Sequence, residues 1–137
     1  MSGVLVDTNV ILDLLTDDEN WAEWSEQMLC HFDQQGPLWI NPIIYTELSI
    51  SFERIEELDK AVGGCGFEWL EMPREALFLA GKVFLQYRRR QGSKPSPLRD
   101  FYIGAHAAVS GLKLLTRDRG RYQTYYPTLE VVSPQTG

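Results

Sequence analysis

Short apolar runs alternate along the chain with longer segments in which apolar residues recur every three or four positions. The short runs predict buried strands at 3–6, 38–40, 67–70, 113–116 and 129–132. The longer segments predict helices at 9–15, 20–36, 43–52, 54–62, 74–90 and 98–111. Strands separated by helices are typical of a mainly parallel sheet that is covered on both faces. The predicted fold class is therefore α/β.

Several predicted helices carry recognisable start and stop signals. Asn41 followed by Pro42 predicts an N-cap and a first helical position, and Ser96 followed by Pro97 repeats that signal. Gly36 is expected to end the second helix. The longest predicted loop covers residues 88–97.

Acidic residues follow two of the predicted strands directly. Asp7 comes at the end of the first strand, and Asp118 lies two residues beyond the strand that ends at Thr116. Ligands of open parallel sheets bind beyond the carboxyl ends of the strands. Glu47 shares an apolar helical stripe, and Asp100 lies in the first turn of another helix. The sequence thus predicts that four carboxylates from separate elements converge at one edge of the sheet.

Each acid alone also has a simpler interpretation. Asp7 could only cap the following helix, and Glu47 could occupy the rim of a half-buried helix. Asp118 could form a turn, and Asp100 could simply favour a helix start. Other acids are expected to be plain surface groups: Asp13, Asp17, Asp18, Glu19 and Glu23.

Clustered carboxylates suit hard divalent cations, because Mg²⁺ and Mn²⁺ prefer oxygen ligands. Such ions activate water and clamp the phosphate in phosphodiester cleavage. Thr116 could orient Asp118 or hold an outer water. Asn9 could act in the same way beside Asp7, although a helix N-cap is an equally good interpretation.

Bulk composition limits the alternatives without deciding between them. The chain has 137 residues, which fits a single domain over 1–137, and its two cysteines lie in no metal-ligand or redox spacing. No secretory signal or membrane span is recognisable, so a cytoplasmic location is expected. The net charge of −6 argues against a binder of phosphate backbones, but acids gathered around a cation would reverse the local field.

Four stretches resemble, in order and spacing, the acidic motifs of PIN-domain ribonucleases: VDTNVILDLL, YTELSI, PLRDFYIGAHA and LLTRDRGRY. Within that family the chain is similar to VapC toxins of type II toxin–antitoxin pairs. The resemblance implies a PIN-like three-layer α/β/α fold and a metal-dependent endoribonuclease. It also implies a homodimer that is inhibited by a VapB-like antitoxin.

The same resemblance assigns roles to individual residues. Asp7, Glu47, Asp100 and Asp118 match the acidic positions that would bind Mg²⁺ or Mn²⁺, with Asn9 and Thr116 as supporting polar groups. Tyr122 stands where related sequences often have Phe. An RNA-binding PIN module without turnover, acting by sequestration, is the alternative function. Phosphotransfer and receiver domains also place Asp at strand ends, but Asn9 and Lys113 do not fit their patterns.

Basic residues surround two of the predicted site acids and could contact RNA phosphates in an otherwise acidic molecule. They are Arg88, Arg89, Arg90, Lys94, Arg99, Arg117, Arg119 and Arg121. The first three could instead be a solvated helix end, and Arg121 could form a salt bridge to a site acid.

An aromatic stripe in the second predicted helix has two interpretations. Trp21, Trp24, Met28 and Phe32 recur at spacings of three and four. The simpler interpretation is that these side chains pack in the core, and the alternative is that some of them line a groove for an antitoxin helix. His31 and His106 are expected to be packed or surface residues, since neither has a motif partner.

Overall fold

The computed structural model describes residues 1–91 and 98–134, and within these ranges five short strands form one parallel sheet. The strands are β1 (Val4–Val6), β2 (Leu38–Ile40), β3 (Phe67–Trp69), β4 (Lys113–Leu115) and β5 (Val131–Val132). Their order across the sheet is β3-β2-β1-β4-β5, and every neighbouring pair is parallel. The predicted α/β class and parallel sheet are confirmed.

Seven helices in the described part of the chain accompany the sheet, consistent with the expected three layers. They are α1 (Thr8–Leu15), α2 (Ala22–Asp33), α3 (Pro42–Ser49), α4 (Ile55–Gly64), α5 (Arg74–Gln91), α6 (Leu98–Ser110) and α7 (Arg119–Gln123). Six of them match predicted helices to within a few residues at each end. No helix of the described ranges combines the length and the apolar character that crossing a membrane requires.

The helix α7 was not predicted. It has only five residues and follows Asp118 directly, so it is too short to show a helical period. Residues 88–90 fell in both the predicted helix 74–90 and the predicted loop 88–97. The helix is confirmed and the loop is corrected there, because Arg88, Arg89 and Arg90 belong to the last turn of α5. Ser96, Pro97 and the rest of 92–97 lie outside the described residues.

Helix starts are set by side chains that accept hydrogen bonds from free backbone N–H groups. Asn41 caps α3 by accepting a bond from the Ile44 N–H at 2.9 Å, as predicted. Asp7, and not Asn9, caps α1, because its Oδ1 accepts from the Thr8 N–H at 2.7 Å. The simple capping role of Asp7 is therefore real, and it leaves Asn9 free for other contacts.

The central strand β1 marks the point where the chain order of the sheet reverses. β2 and β3 lie on one side of it, and β4 and β5 lie on the other. The carboxyl ends of β1 and β4 consequently meet at a topological switch point, where open parallel sheets bind ligands. Both strands are buried except at Lys113, so the sheet centre is a rigid support for the residues that follow.

Candidate functional site

Polar side chains gather where β1 and β4 end. Asp7 follows β1, and Thr116 and Asp118 follow β4. The Asp7 N–H donates to the Leu115 carbonyl at 2.9 Å, so the strand pairing extends into the site. Asp7 and Thr116 are completely buried. The two strand ends thus hold their polar residues side by side, as the sequence predicted.

Asp7 is the most heavily hydrogen-bonded acid of the site. Beyond its cap to Thr8, its Oδ1 accepts from Arg99 Nη2 at 2.6 Å. Its Oδ2 accepts from Thr116 Oγ1 at 2.8 Å and from the Tyr122 hydroxyl at 2.9 Å. Burying a carboxylate is costly unless it has hydrogen-bond or ion-pair partners of this kind. Asp7 is therefore fixed in position by four donors on three separate elements and the β4–α7 segment.

Arg99 links Asp7 to two further predicted acids. Its Nη2 donates to Glu47 Oε1 at 2.7 Å, and its Nε forms an ion pair with Glu47 Oε2. Its Nη1 pairs with Asp100 Oδ1. Thr8 Oγ1 also donates to Glu47 Oε1. One guanidinium therefore lies against three carboxylates, which come from the residue that follows β1, from α3 and from α6.

The electrostatics of this cluster favour a charged arginine and disfavour one charged carboxylate. Burial alone would lower the pKa of Arg99, but the charge of Asp7 and the hydrogen bond to Glu47 outweigh it and raise that pKa above its usual value. Burial raises the pKa of Asp100, although Arg99 and Arg121 oppose the shift. Burial and the neighbouring Asp7 charge also raise the pKa of Tyr122, so its hydroxyl stays protonated and can donate.

Asp118 is the most open of the four acids, with 44% of its side chain exposed. Its N–H donates to Thr116 Oγ1 at 3.1 Å, and its Oδ2 lies 3.5 Å from both Asn9 Nδ2 and Arg121 Nε. Arg121 Nη1 is also 3.9 Å from Asp100 Oδ1. Asp118 therefore belongs to the same cluster, at its solvent side.

Comparison with known proteins identifies the family and the fold. The sequence matches the PIN domain over residues 4–125, which is most of the chain. The chain belongs to the PIN domain family. No curated protein matches this sequence.

Solved structures with the same fold cover nearly the whole chain. A chain of VapBC2 from Rickettsia felis, bound to a DNA fragment from its promoter, superposes with a TM-score of 0.71 at 15% identity, covering 95% of this chain and 97% of that one. VapBC-1 from nontypeable Haemophilus influenzae gives 0.70 at 19% identity, covering 95% and 96%. A toxin–antitoxin complex from Klebsiella pneumoniae gives 0.66 at 21% identity, covering 97% and 98%. At these identities the likeness shows the fold.

The PIN domain has no ready-made metal site in residues 1–91 and 98–134. No three acidic, His or Cys side chains there are arranged to hold an ion as they stand. The Arg99 guanidinium lies instead between Asp7, Glu47 and Asp100. Asp100 Oδ2 is buried and accepts no hydrogen bond, so the cluster retains one unsatisfied carboxyl oxygen.

The predicted basic residues occupy three different environments. Arg88, Arg89 and Arg90 are exposed at the end of α5, where positive charge suits the helix dipole. Arg119 Nη2 donates to the Val131 carbonyl at 2.9 Å. Arg99 lies inside the acidic cluster and Arg121 at its edge, as the salt-bridge interpretation of Arg121 supposed. Lys94 lies outside the described residues.

Arg117 pairs with Asp13, an acid that was predicted to lie at the surface. Its Nε donates to Asp13 Oδ2 at 2.8 Å and its Nη2 to Asp13 Oδ1 at 3.1 Å. Asp13 is buried and also accepts from Ser25 Oγ at 2.8 Å, so the prediction of a surface acid was wrong. The sequence did indicate that Asp13 faces inward, because it follows the predicted site residue Asn9 by four positions and therefore shares its helix face. Asn9 Oδ1 accepts from the Arg117 N–H at 3.2 Å.

The aromatic stripe of α2 mostly packs on the core. Phe32 is buried, and Trp24 and Met28 are half-buried against the core, which confirms the simpler interpretation for these three. Trp21 contacts the Arg117 guanidinium, 5.2 Å from its ring centre. His106 is completely buried, and its Nδ1 lies 3.0 Å from Asn41 Nδ2, as expected of a packed histidine.

Proposed function

We propose that this PIN domain is a Mg²⁺- or Mn²⁺-dependent endoribonuclease and the toxin of a type II toxin–antitoxin pair. The observation that carries the proposal is the convergence of Asp7, Glu47, Asp100 and Asp118 at the switch point of the sheet. Three of these carboxylates share one guanidinium, and the fourth is bridged to Asp100 by Arg121. Such a density of negative charge at a ligand-binding edge requires a cation.

The residues fit a divalent metal by the nature of their donor atoms. Carboxylate oxygens are the ligands of Mg²⁺ and Mn²⁺, and Asp100 Oδ2 is a buried acceptor without a partner. Asp7, Glu47, Asp100 and Asp118 would hold the ion. A bound divalent cation would supply Lewis-acid activation of water and neutralise charge on the scissile phosphate.

The remaining chemistry is assigned to groups of the chain itself. Thr116 and Tyr122 orient Asp7 through donated hydrogen bonds, and Asn9 together with Thr116 orients Asp118. The half-exposed Asp118 faces the side from which substrate and water would approach. In the reaction, a water oxygen bonds to phosphorus while the bond from phosphorus to the leaving ribose oxygen breaks.

The proposed partners rest on the proteins that share this fold. The structural neighbours are described as VapBC proteins and a toxin–antitoxin complex. We therefore propose a VapB-like antitoxin, a homodimeric toxin and a cytoplasmic RNA target for this chain. The exposed cations Arg88, Arg89 and Arg90, with Lys94, remain candidates for contacts with RNA phosphates.

The test compares the wild-type protein with Asp7→Asn and Asp118→Asn on total RNA, tRNA and ribosomal RNA. Each protein is assayed with Mg²⁺, with Mn²⁺ and with EDTA. Glu130→Gln is the matched control, because Glu130 is an exposed acid that precedes β5, at the opposite edge of the sheet. Circular dichroism and a thermal melt verify that each variant is folded.

We expect discrete cleavage only with metal, and only by the wild-type protein and Glu130→Gln. Asp118→Asn is the more informative variant, because its open position makes a folding defect smaller than at Asp7. If folded, antitoxin-free wild type and Asp118→Asn behave alike, the nuclease proposal is wrong. Binding of RNA without cleavage would then identify the sequestering alternative.

A further inference from the structure

Arg99 occupies an unusual place for a surface-type side chain. It immediately precedes Asp100 at the start of α6, where it could have pointed to solvent. Only 24% of the side chain is exposed, and all three guanidinium nitrogens lie against site carboxylates. The guanidinium therefore fills the space that the three acids enclose.

Without a bound metal ion, the carboxylates of the site need the Arg99 guanidinium as their counter-cation. Asp7 and Asp100 are almost fully buried, and burying a carboxylate is costly unless it is paired with a cation or hydrogen-bonded. The positive charges in contact with the described site are Arg99 inside it and Arg121 at its rim. Arg121 is half-exposed, and it lies 3.9 Å from Asp100 Oδ1 and 3.5 Å from Asp118 Oδ2. Arg99 therefore provides most of the compensation.

A metal ion that bound these carboxylates would need the same oxygens. Glu47 directs both of its oxygens to Arg99, and Asp7 and Asp100 each direct Oδ1 to it. Arg99 leaves two of the six oxygens unused: Asp7 Oδ2, which accepts from Thr116 and Tyr122, and Asp100 Oδ2, which is buried and accepts no hydrogen bond. Guanidinium and divalent ion cannot both occupy the centre of this set of oxygens.

We propose that Arg99 is an internal counter-cation, which holds the metal position of the site and which a divalent ion must expel on binding. This inference rests on the proposed metal-dependent function and adds a competition that the chain itself imposes. If the guanidinium occupies the site in about nine molecules of ten, the apparent dissociation constant of the metal is weakened about tenfold. The expelled guanidinium remains tethered next to Asp100, where it can contact an RNA phosphate.

The test measures Mn²⁺ binding by the electron paramagnetic resonance signal of the free ion, without RNA or turnover. The wild-type protein is compared with Arg99→Gln and with Arg121→Gln, which removes a neighbouring charge that does not fill the site. We expect Arg99→Gln to bind Mn²⁺ at least tenfold more tightly than wild type, and Arg121→Gln to change affinity less than threefold. Equal or weaker binding by Arg99→Gln overturns the inference, and so does an equal gain in both variants.

A second measurement uses the wild-type protein and does not depend on the folding of a variant. The Arg99 Nε–Hε signal in a ¹H–¹⁵N spectrum, assigned by its loss in Arg99→Lys, is followed during titration with Mg²⁺. Expulsion predicts a shifted signal with faster exchange against water at saturation. A signal that stays unchanged when Mg²⁺ is saturating contradicts it.

The outcomes separate this inference from the proposed function. If wild type binds Mn²⁺ and cleaves RNA while Arg99→Gln binds no more tightly, the inference fails and the nuclease stands. If neither wild type nor Arg99→Gln binds Mn²⁺, both the inference and the metal-dependent function fail.

Discussion

The substitution Asp13→Asn measures how much the buried ion pair between Asp13 and Arg117 stabilises the fold. It removes the negative charge opposite Arg117 while keeping the size and one acceptor oxygen of the side chain. Asp13 is buried, with 3% of its side chain exposed, whereas Arg117 has 29% exposed. The change therefore leaves a guanidinium that has lost its partner but can still reach water.

The magnitude follows from these exposures. Removing one partner of a fully buried ion pair costs about 3–5 kcal/mol. Because Arg117 can be partly rehydrated and Asn can still accept from Ser25, we expect a loss of about 2 kcal/mol. For a domain of this size that corresponds to a fall in Tm of about 6–8 °C. A surface acid would give less than about 0.5 kcal/mol.

The assay is urea denaturation followed by tryptophan fluorescence, with the free energy of unfolding taken at constant slope. Glu19→Gln is the control, because Glu19 is an exposed acid in the segment that follows the same helix. A double-mutant cycle with Arg117→Gln isolates the pair. If Asp13→Asn and Glu19→Gln destabilise the protein equally, the buried pair does not exist in solution.

Three further predictions concern packing, the site and pH. Gly104→Ala should lower the free energy of unfolding by about 2 kcal/mol, because the added Cβ would lie 2.4 Å from the buried Tyr126 ring. Gly81→Ala, at an exposed helical position with no atom within 4 Å of the added Cβ, should raise it by about 0.5–1 kcal/mol. Urea melts in which both variants shift in the same direction would contradict this. Asn9→Ala should slow RNA cleavage about 10–100-fold, because Asn9 orients Asp118. The melting temperature should change by no more than a few degrees. Single-turnover rates equal to those of wild type would rule that role out. Burial lowers the pKa of His106, so the unfolded chain binds the proton more readily and the free energy of unfolding should fall as pH drops below about 6.5. His106→Gln should therefore lose less stability than wild type between pH 7.5 and 5.5. Equal losses of stability in the two proteins would refute this prediction.

The outline of the fold and the place of the site were predictable from the sequence. Apolar runs and helical periods identified five strands and six of the seven described helices, because burial imposes those periods on contiguous residues. The alternation of strands and helices implied a parallel sheet, and that geometry placed Asp7 and Asp118 at one edge. The apolar helical stripe that includes Glu47 and the helix start at Asp100 added the other two acids.

The contacts among the site residues were decided only by the tertiary structure. Arg99 pairs with Asp7 across 92 positions and with Glu47 across 52, and Arg117 pairs with Asp13 across 104. Local patterns give the face of a helix but not what lies opposite that face. Nothing in the sequence near Arg99 indicates whether its side chain points into solvent or lies among the three carboxylates of the site. That choice depends on how the strand ends and helices pack together, because only their assembly buries the acids deeply enough to require a cation.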